Sequence, residues 1–130
     1  MAEQAPLKTN HNIRIVTLTT AERVLCMFGE VRGDDEKVVG YRMLYPYTLN
    51  LGTPNDDGTI PIHYDRWCPF SPVEEHRMSG EHIISVVFPD NNILDNFATR
   101  LKESAGLTDE QIFFEEETDG DNSEPIETGE

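Results

Sequence analysis

At 130 residues, 37% apolar and 27% charged, the chain has the length and composition of one globular domain and is too short for two cores. Its formal net charge of -15 is unevenly placed: residues 109–130 carry ten Asp and Glu and no Lys or Arg, which leaves residues 1–108 at a net -5 and argues against a broadly basic nucleic-acid surface. A run of about 18 apolar residues and the basic flank of a secretory leader are both absent from the sequence. The expectation is therefore a cytosolic protein without membrane attachment, its Cys26 and Cys68 reduced.

Five segments carry strand character, being rich in β-branched and aromatic residues at period two and bounded by Gly, Pro, Asn or Asp. The first runs from Ile13 to Thr19 and the second from Arg23 to Arg32, where the central Gly29 predicts a sharp bend or a close backbone approach. Gly33-Asp34-Asp35 is a turn signal leading into the third strand, Val38 to Leu44, with Val39, Tyr41, Met43 and Tyr45 expected to share one aromatic face. Pro46 denies the ladder a donor, so Tyr47 to Leu51 is either a continuation past a bulge or an edge. After a loop from Gly52 to Gly58, the fourth strand is Thr59 to Trp67, and the Pro-punctuated stretch Cys68 to Gly80 reads as a second loop. The fifth strand, His82 to Phe88, is the most apolar.

Asp90 is a good N-cap for a helix reaching about Ala105, with Ile93, Leu94, Phe97 and Leu101 on one face and Gly106 as its stop. Past Thr108 a short turn around Asp109 to Phe114 is compatible with the residues, and Glu115 to Glu130 has too little apolar content to offset its ordering entropy. The expected organisation is a domain over 1–107 and an acidic disordered tail over 108–130.

No elbow motif, P-loop or Gly-rich dinucleotide loop is present, so a non-catalytic protein without a cofactor is expected. His63, Asp65, Cys68 and His76 are metal-ligand types in one window, but they lack the paired Cys or His spacing of a structural zinc site and read as surface and loop residues. Tyr41, Tyr45, Tyr47, Tyr64 and Trp67 suit either base stacking or, more commonly at strand spacing, a core or subunit interface. Arg32, Lys37, Arg42 and Arg77 lie near turns, where phosphate contacts are made. Arg32-Gly33-Asp34 spells an adhesion tripeptide, here a hairpin turn.

Two local patterns point to a family. Gly29-x-Val31-x-x-x-Asp35 resembles the first signature of the Sm-like proteins, and His82-Ile83-Ile84-Ser85-Val86-Val87-Phe88-Pro89 resembles the last strand of the bacterial Sm-like protein Hfq. With Tyr41 to Gly52 and Asp65 to Glu74, residues 12–105 look most like the divergent Sm-like proteins associated with marine cyanophages. The resemblance implies a small, strongly bent five-stranded barrel, here mainly β with one C-terminal helix. It also implies a homo-oligomeric ring made by pairing the fourth strand of one copy with the fifth of the next, and RNA binding around the pore. For a phage protein the compartment would be the host cytoplasm.

The chain departs from the pattern in three ways. Val38-Val39 stand where the first signature ends in Met-Asn, Glu81-His82 stand where Hfq has Lys-His, and the helix follows the strands rather than preceding them. The expected function is a ring that binds RNA or single-stranded DNA through Arg32, Lys37, Arg77 and His82, in phage nucleic-acid processing. The rival reading is an assembly or protein-interaction module that uses the same ring without nucleic acid. The tail reads as either a solubilising extension or a competitor for the basic surface.

Overall fold

The computed structural model describes residues 6–114. Strands β1 (Ile13–Leu18), β2 (Arg23–Arg32) and β3 (Val38–Leu51) form an antiparallel meander. Two further strands, β4 (Ile62–Arg66) and β5 (Glu75–Met78), both pair with β3, and β6 (Ile83–Val87) returns to pair with β1. The sheet order is thus β4-β3-β2-β1-β6, with β5 beside β4 along the same side of β3. Helix α1 (Asn91–Ala105) and the one-turn α2 (Asp109–Ile112) follow.

The chain is mainly β with a C-terminal helix, as composition and pattern suggest, but the sheet has six strands rather than five and does not close on itself. The extra strand lies in the stretch expected to be a loop. Glu75, His76, Arg77 and Met78 show no apolar alternation, and they extend because the first half of β3 offers them a ladder, with Tyr41 opposite Met78 and Leu44 opposite Glu75. The fourth strand is accordingly shorter than Thr59 to Trp67, and the last begins at Ile83, since Gly80–His82 form a 3₁₀ turn.

Pro46 is accommodated by a bulge, the first of the two options its sequence position leaves open. Leu25 faces Tyr47 and Met27 faces Leu44, so Tyr45 and Pro46 together oppose Cys26, and Tyr45 takes a left-handed φ of 53°. Gly29, by contrast, pairs regularly with Arg42; a Cβ there would stand 3.2 Å from Arg42 Nε, so the glycine serves close approach rather than a break in register.

The sheet buries both faces differently. On one, Leu94, Phe97, Ala98 and Leu101 of α1 pack with Ile13, Leu25 and Ile112. On the other, Val16, Leu18, Val24, Cys26 and Met43 have no helix to cover them; Trp67, Met78 and Ile83, from opposite ends of the sheet, pack over them instead. This second cluster forms only because the sheet curls. Cys26 is unbridged and buried within it, and burial pushes its thiol far above its usual range; Cys68 is also unbridged.

The folded unit extends past 107. Ile112 is 1% exposed, Phe113 bridges His11, and the Phe114 N–H donates to the Asn10 carbonyl (2.7 Å). The acidic segment expected to be disordered lies, from 115 onward, outside the described residues. Among the described residues no helix is long and apolar enough to cross a membrane.

Candidate functional site

Two loop regions meet beside β3 and build a concave patch that contains one predicted site residue, Arg77. The β2–β3 hairpin turns at residues 33–36, where the Glu36 N–H donates to the Gly33 carbonyl (3.0 Å) and Glu36 takes a left-handed φ of 67°. The β5–β6 connection is the 3₁₀ turn, capped by Ser79 Oγ, which accepts from the Glu81 N–H at 3.2 Å. Gly40 and Gly80 let the two press together: a Cβ at Gly40 would stand 3.1 Å from the Met78 carbonyl oxygen, and one at Gly80 3.0 Å from the Tyr41 ring. Between them runs an open groove of about 340 Å³ with Val31, Val39, Tyr41 and Met78 in its wall and Arg77 and Ser79 on its rim.

The four predicted contact residues are spread along this end of the molecule rather than gathered in it. Arg77 alone lines the groove, with Nε 2.9 Å from the Glu75 carboxylate. Arg32 sits on the hairpin, ion-paired with Glu30, and donates through Nη1 to the Glu36 carbonyl (2.7 Å), so it also holds the turn. Lys37 is exposed at the same turn. His82 lies in the 3₁₀ turn rather than on a strand, exposed, with its carbonyl accepting from the Thr19 N–H at 2.9 Å on the β1–β2 side.

A second arginine, Arg42, does not line the groove. It stands directly opposite Arg77 in the β3–β5 ladder, which puts both side chains on one face at cross-strand distance. The Glu75 carboxylate, 2.9 Å from Arg77 Nε, offsets part of the repulsion between the two guanidinium groups. A β5 hidden in a polar stretch is what kept this pairing from being legible.

The aromatic residues do not form one stacking platform. Tyr41 stacks on Phe28 (centroids 5.3 Å, 15°) and Trp67 packs in the curled-face cluster, whereas Tyr45, Tyr47 and Tyr64 pack on the α1 side. Arg100 of α1 lies over both Tyr47 and Tyr64 (5.4 and 5.2 Å to the centroids). The metal-ligand types also separate: Asp65 accepts from Asn50 Nδ2 at 3.2 Å, and His76 stands edge-on to Trp67 with Nε2 3.2 Å from the Val73 carbonyl. Among the described residues no three His, Cys, Asp or Glu side chains are grouped to hold a metal ion.

The groove therefore offers an apolar wall with the Arg77 guanidinium at its edge, ion-paired with Glu75. Comparison of the chain with protein-family models and with curated proteins finds no match.

Proposed function

We propose that the chain is the subunit of an Sm-like homo-oligomeric ring that binds single-stranded RNA or DNA without catalysis, in the setting of phage nucleic-acid processing. The observation that carries the ring is the state of the two sheet edges. Among the described residues β6 pairs only with β1, and its Ile84, Val86 and Val87 are 63, 38 and 50% exposed. Among the described residues β4 and β5 likewise pair only with β3. An exposed apolar edge strand is an association hazard, and addition of β6 of one copy to the β4–β5 edge of the next, repeated to closure, removes both edges at once. The strand order, with the last strand returned beside the first and the curled second face, supports a bent Sm-like barrel completed by its neighbours.

Nucleic-acid binding rests on the Arg42–Arg77 pair of the β3–β5 ladder, repeated around the ring, with Arg77 also reaching the Tyr41 groove. Light scattering on the full chain is expected to give a discrete multiple of 14.8 kDa. A fluorescence titration with a short single-stranded oligonucleotide is expected to show binding at low salt that falls steeply as salt rises, and Arg42→Ala with Arg77→Ala should weaken it. A monomer removes the ring; a ring that binds no oligonucleotide removes the second half.

The rival, a ring that assembles or recruits protein without nucleic acid, has its own observation. Arg32 and Arg77 each carry an acidic partner, Glu30 and Glu75, and Glu81 stands beside His82. It wins if the ring forms and oligonucleotides do not bind.

A further inference from the structure

The edge formed by β4 and β5 is interrupted at residues 67–74, where the chain leaves the β3 ladder opposite the Tyr45-Pro46 bulge. The interruption is tightly built. Its two ends are tied to β3, with the Trp67 N–H donating to the Pro46 carbonyl (3.0 Å) and the Tyr45 N–H to the Glu74 carbonyl (2.8 Å). The Arg66 guanidinium spans it, donating to the Ser71 carbonyl at 3.0 Å and reaching the Glu74 carboxylate at 3.3 Å. The Val73 N–H donates to Ser71 Oγ (3.1 Å), and Pro69 and Pro72 fix two further backbone angles.

At the tip of this braced loop Phe70 is 96% exposed, more than any other large apolar residue described, and Val73 is 52% exposed. A phenyl ring held in water by a loop with so little freedom to fold it away is the form an interface anchor takes before its partner arrives, because its ordering cost has already been met.

We propose that Phe70 is the side chain by which one copy grips the next, seating on β6 of the neighbouring copy. This rests on the ring reading above. The occupant is a second copy for two reasons. The loop leaves the same edge that offers free main-chain groups, so a strand added there meets Phe70, and the opposite edge of the same molecule exposes Ile84, Val86 and Val87. Neither residues 68–73 nor residues 83–88 include a charged side chain, so this contact avoids the repulsion that two copies of net -15 meet elsewhere on their surfaces.

The test is sedimentation velocity over a concentration series on the full-length chain, Phe70→Ser and Phe70→Trp. Phe70 covers no core residue, so both variants should give the wild-type far-ultraviolet circular dichroism spectrum. The expected result is a wild-type oligomer, at least about tenfold weaker self-association in Phe70→Ser, and retention in Phe70→Trp. An oligomer equally strong in Phe70→Ser overturns the anchor and leaves the ring reading standing. A wild-type chain that stays monomeric at every concentration overturns both. Unchanged self-association, with Phe70→Ser instead losing a different protein partner, also overturns the proposal.

Discussion

His11 is buried to 0% exposure just before β1 and fastens three parts of the molecule. Its Nδ1 accepts from the Ile13 N–H (3.0 Å), its Nε2 donates to the Lys8 carbonyl (2.9 Å), and its ring stands edge-on to Phe88 and Phe113. Those bonds fix the neutral imidazole with its proton on Nε2; protonating Nδ1 would aim one N–H at another. Burial lowers the His11 pKa below 6.5 and the Arg14 and Lys8 charges add to this, against the bonds to Lys8 and Ile13 that raise it. Since the folded value is the lower one, the unfolded chain takes up the proton first. The contribution of His11 is complete above pH 6.5 and is lost as pH falls from there through the folded value. Urea midpoints should therefore drop between pH 7.5 and 5.5 in the wild type, and by less in His11→Leu, whose midpoint is lower but flatter. Equal slopes would show that other groups set the dependence. Nothing in the sequence pattern marks this histidine, because its partners Phe88 and Phe113 are far away along the chain.

Helix α1 shows how far local chemistry carries an element. Asp90 accepts the Ile93 N–H at 2.8 Å, Gly106 takes φ 72° at the other end, and Leu94, Phe97 and Leu101 are buried as their spacing requires. Removing the cap with Asp90→Ala should lower the unfolding free energy by about 1 kcal/mol in urea titration with no change in slope; a shift within error would mean that the packing of α1 alone holds its first turn. Caps and periodicity are written in adjacent residues, so this helix was legible to its last residue. The strands were legible where β-branched and aromatic residues cluster, as in β1, β2, β3 and β6. β5 was missed because Glu75–Met78 has no alternation and becomes a strand through its partner, Leu44 to Tyr41. The same cause hid the Arg42–Arg77 pair, since a cross-ladder neighbour is a property of register, which an isolated segment does not carry. His82 was misplaced by one step in the same way: Ser79 starts a 3₁₀ turn that takes it out of the last strand.

Where the folded unit ends is set by packing rather than by charge. Charge turns acidic at Asp109 and Glu110, which is why composition draws the boundary at 107, yet the core is not finished there. Thr108 and Gln111 form a reciprocal capping box, Lys102 pairs with Asp109, and the turn delivers Ile112 into the cluster of Ile13, Leu25 and Phe97. Asn10 and Phe114 then exchange two hydrogen bonds, of 2.7 and 2.9 Å, tying the segment to the start of the chain. Two truncations separate these accounts. Ending the chain after Phe114 should leave the urea midpoint unchanged, whereas ending it after Leu107 removes Ile112 and should cost at least about 2–5 kcal/mol, the loss expected for emptying one large aliphatic site. The first truncation also changes the electrostatics alone. Residues 115–130 carry eight Asp and Glu and no Lys or Arg, so the formal net charge falls from -15 to -7. If those carboxylates compete with phosphates for Arg42 and Arg77, the chain ending at Phe114 binds a single-stranded oligonucleotide more tightly at low salt, and the advantage shrinks as salt screens it. Equal affinity at every salt concentration would assign the acidic residues to solubility and leave the groove to act without them.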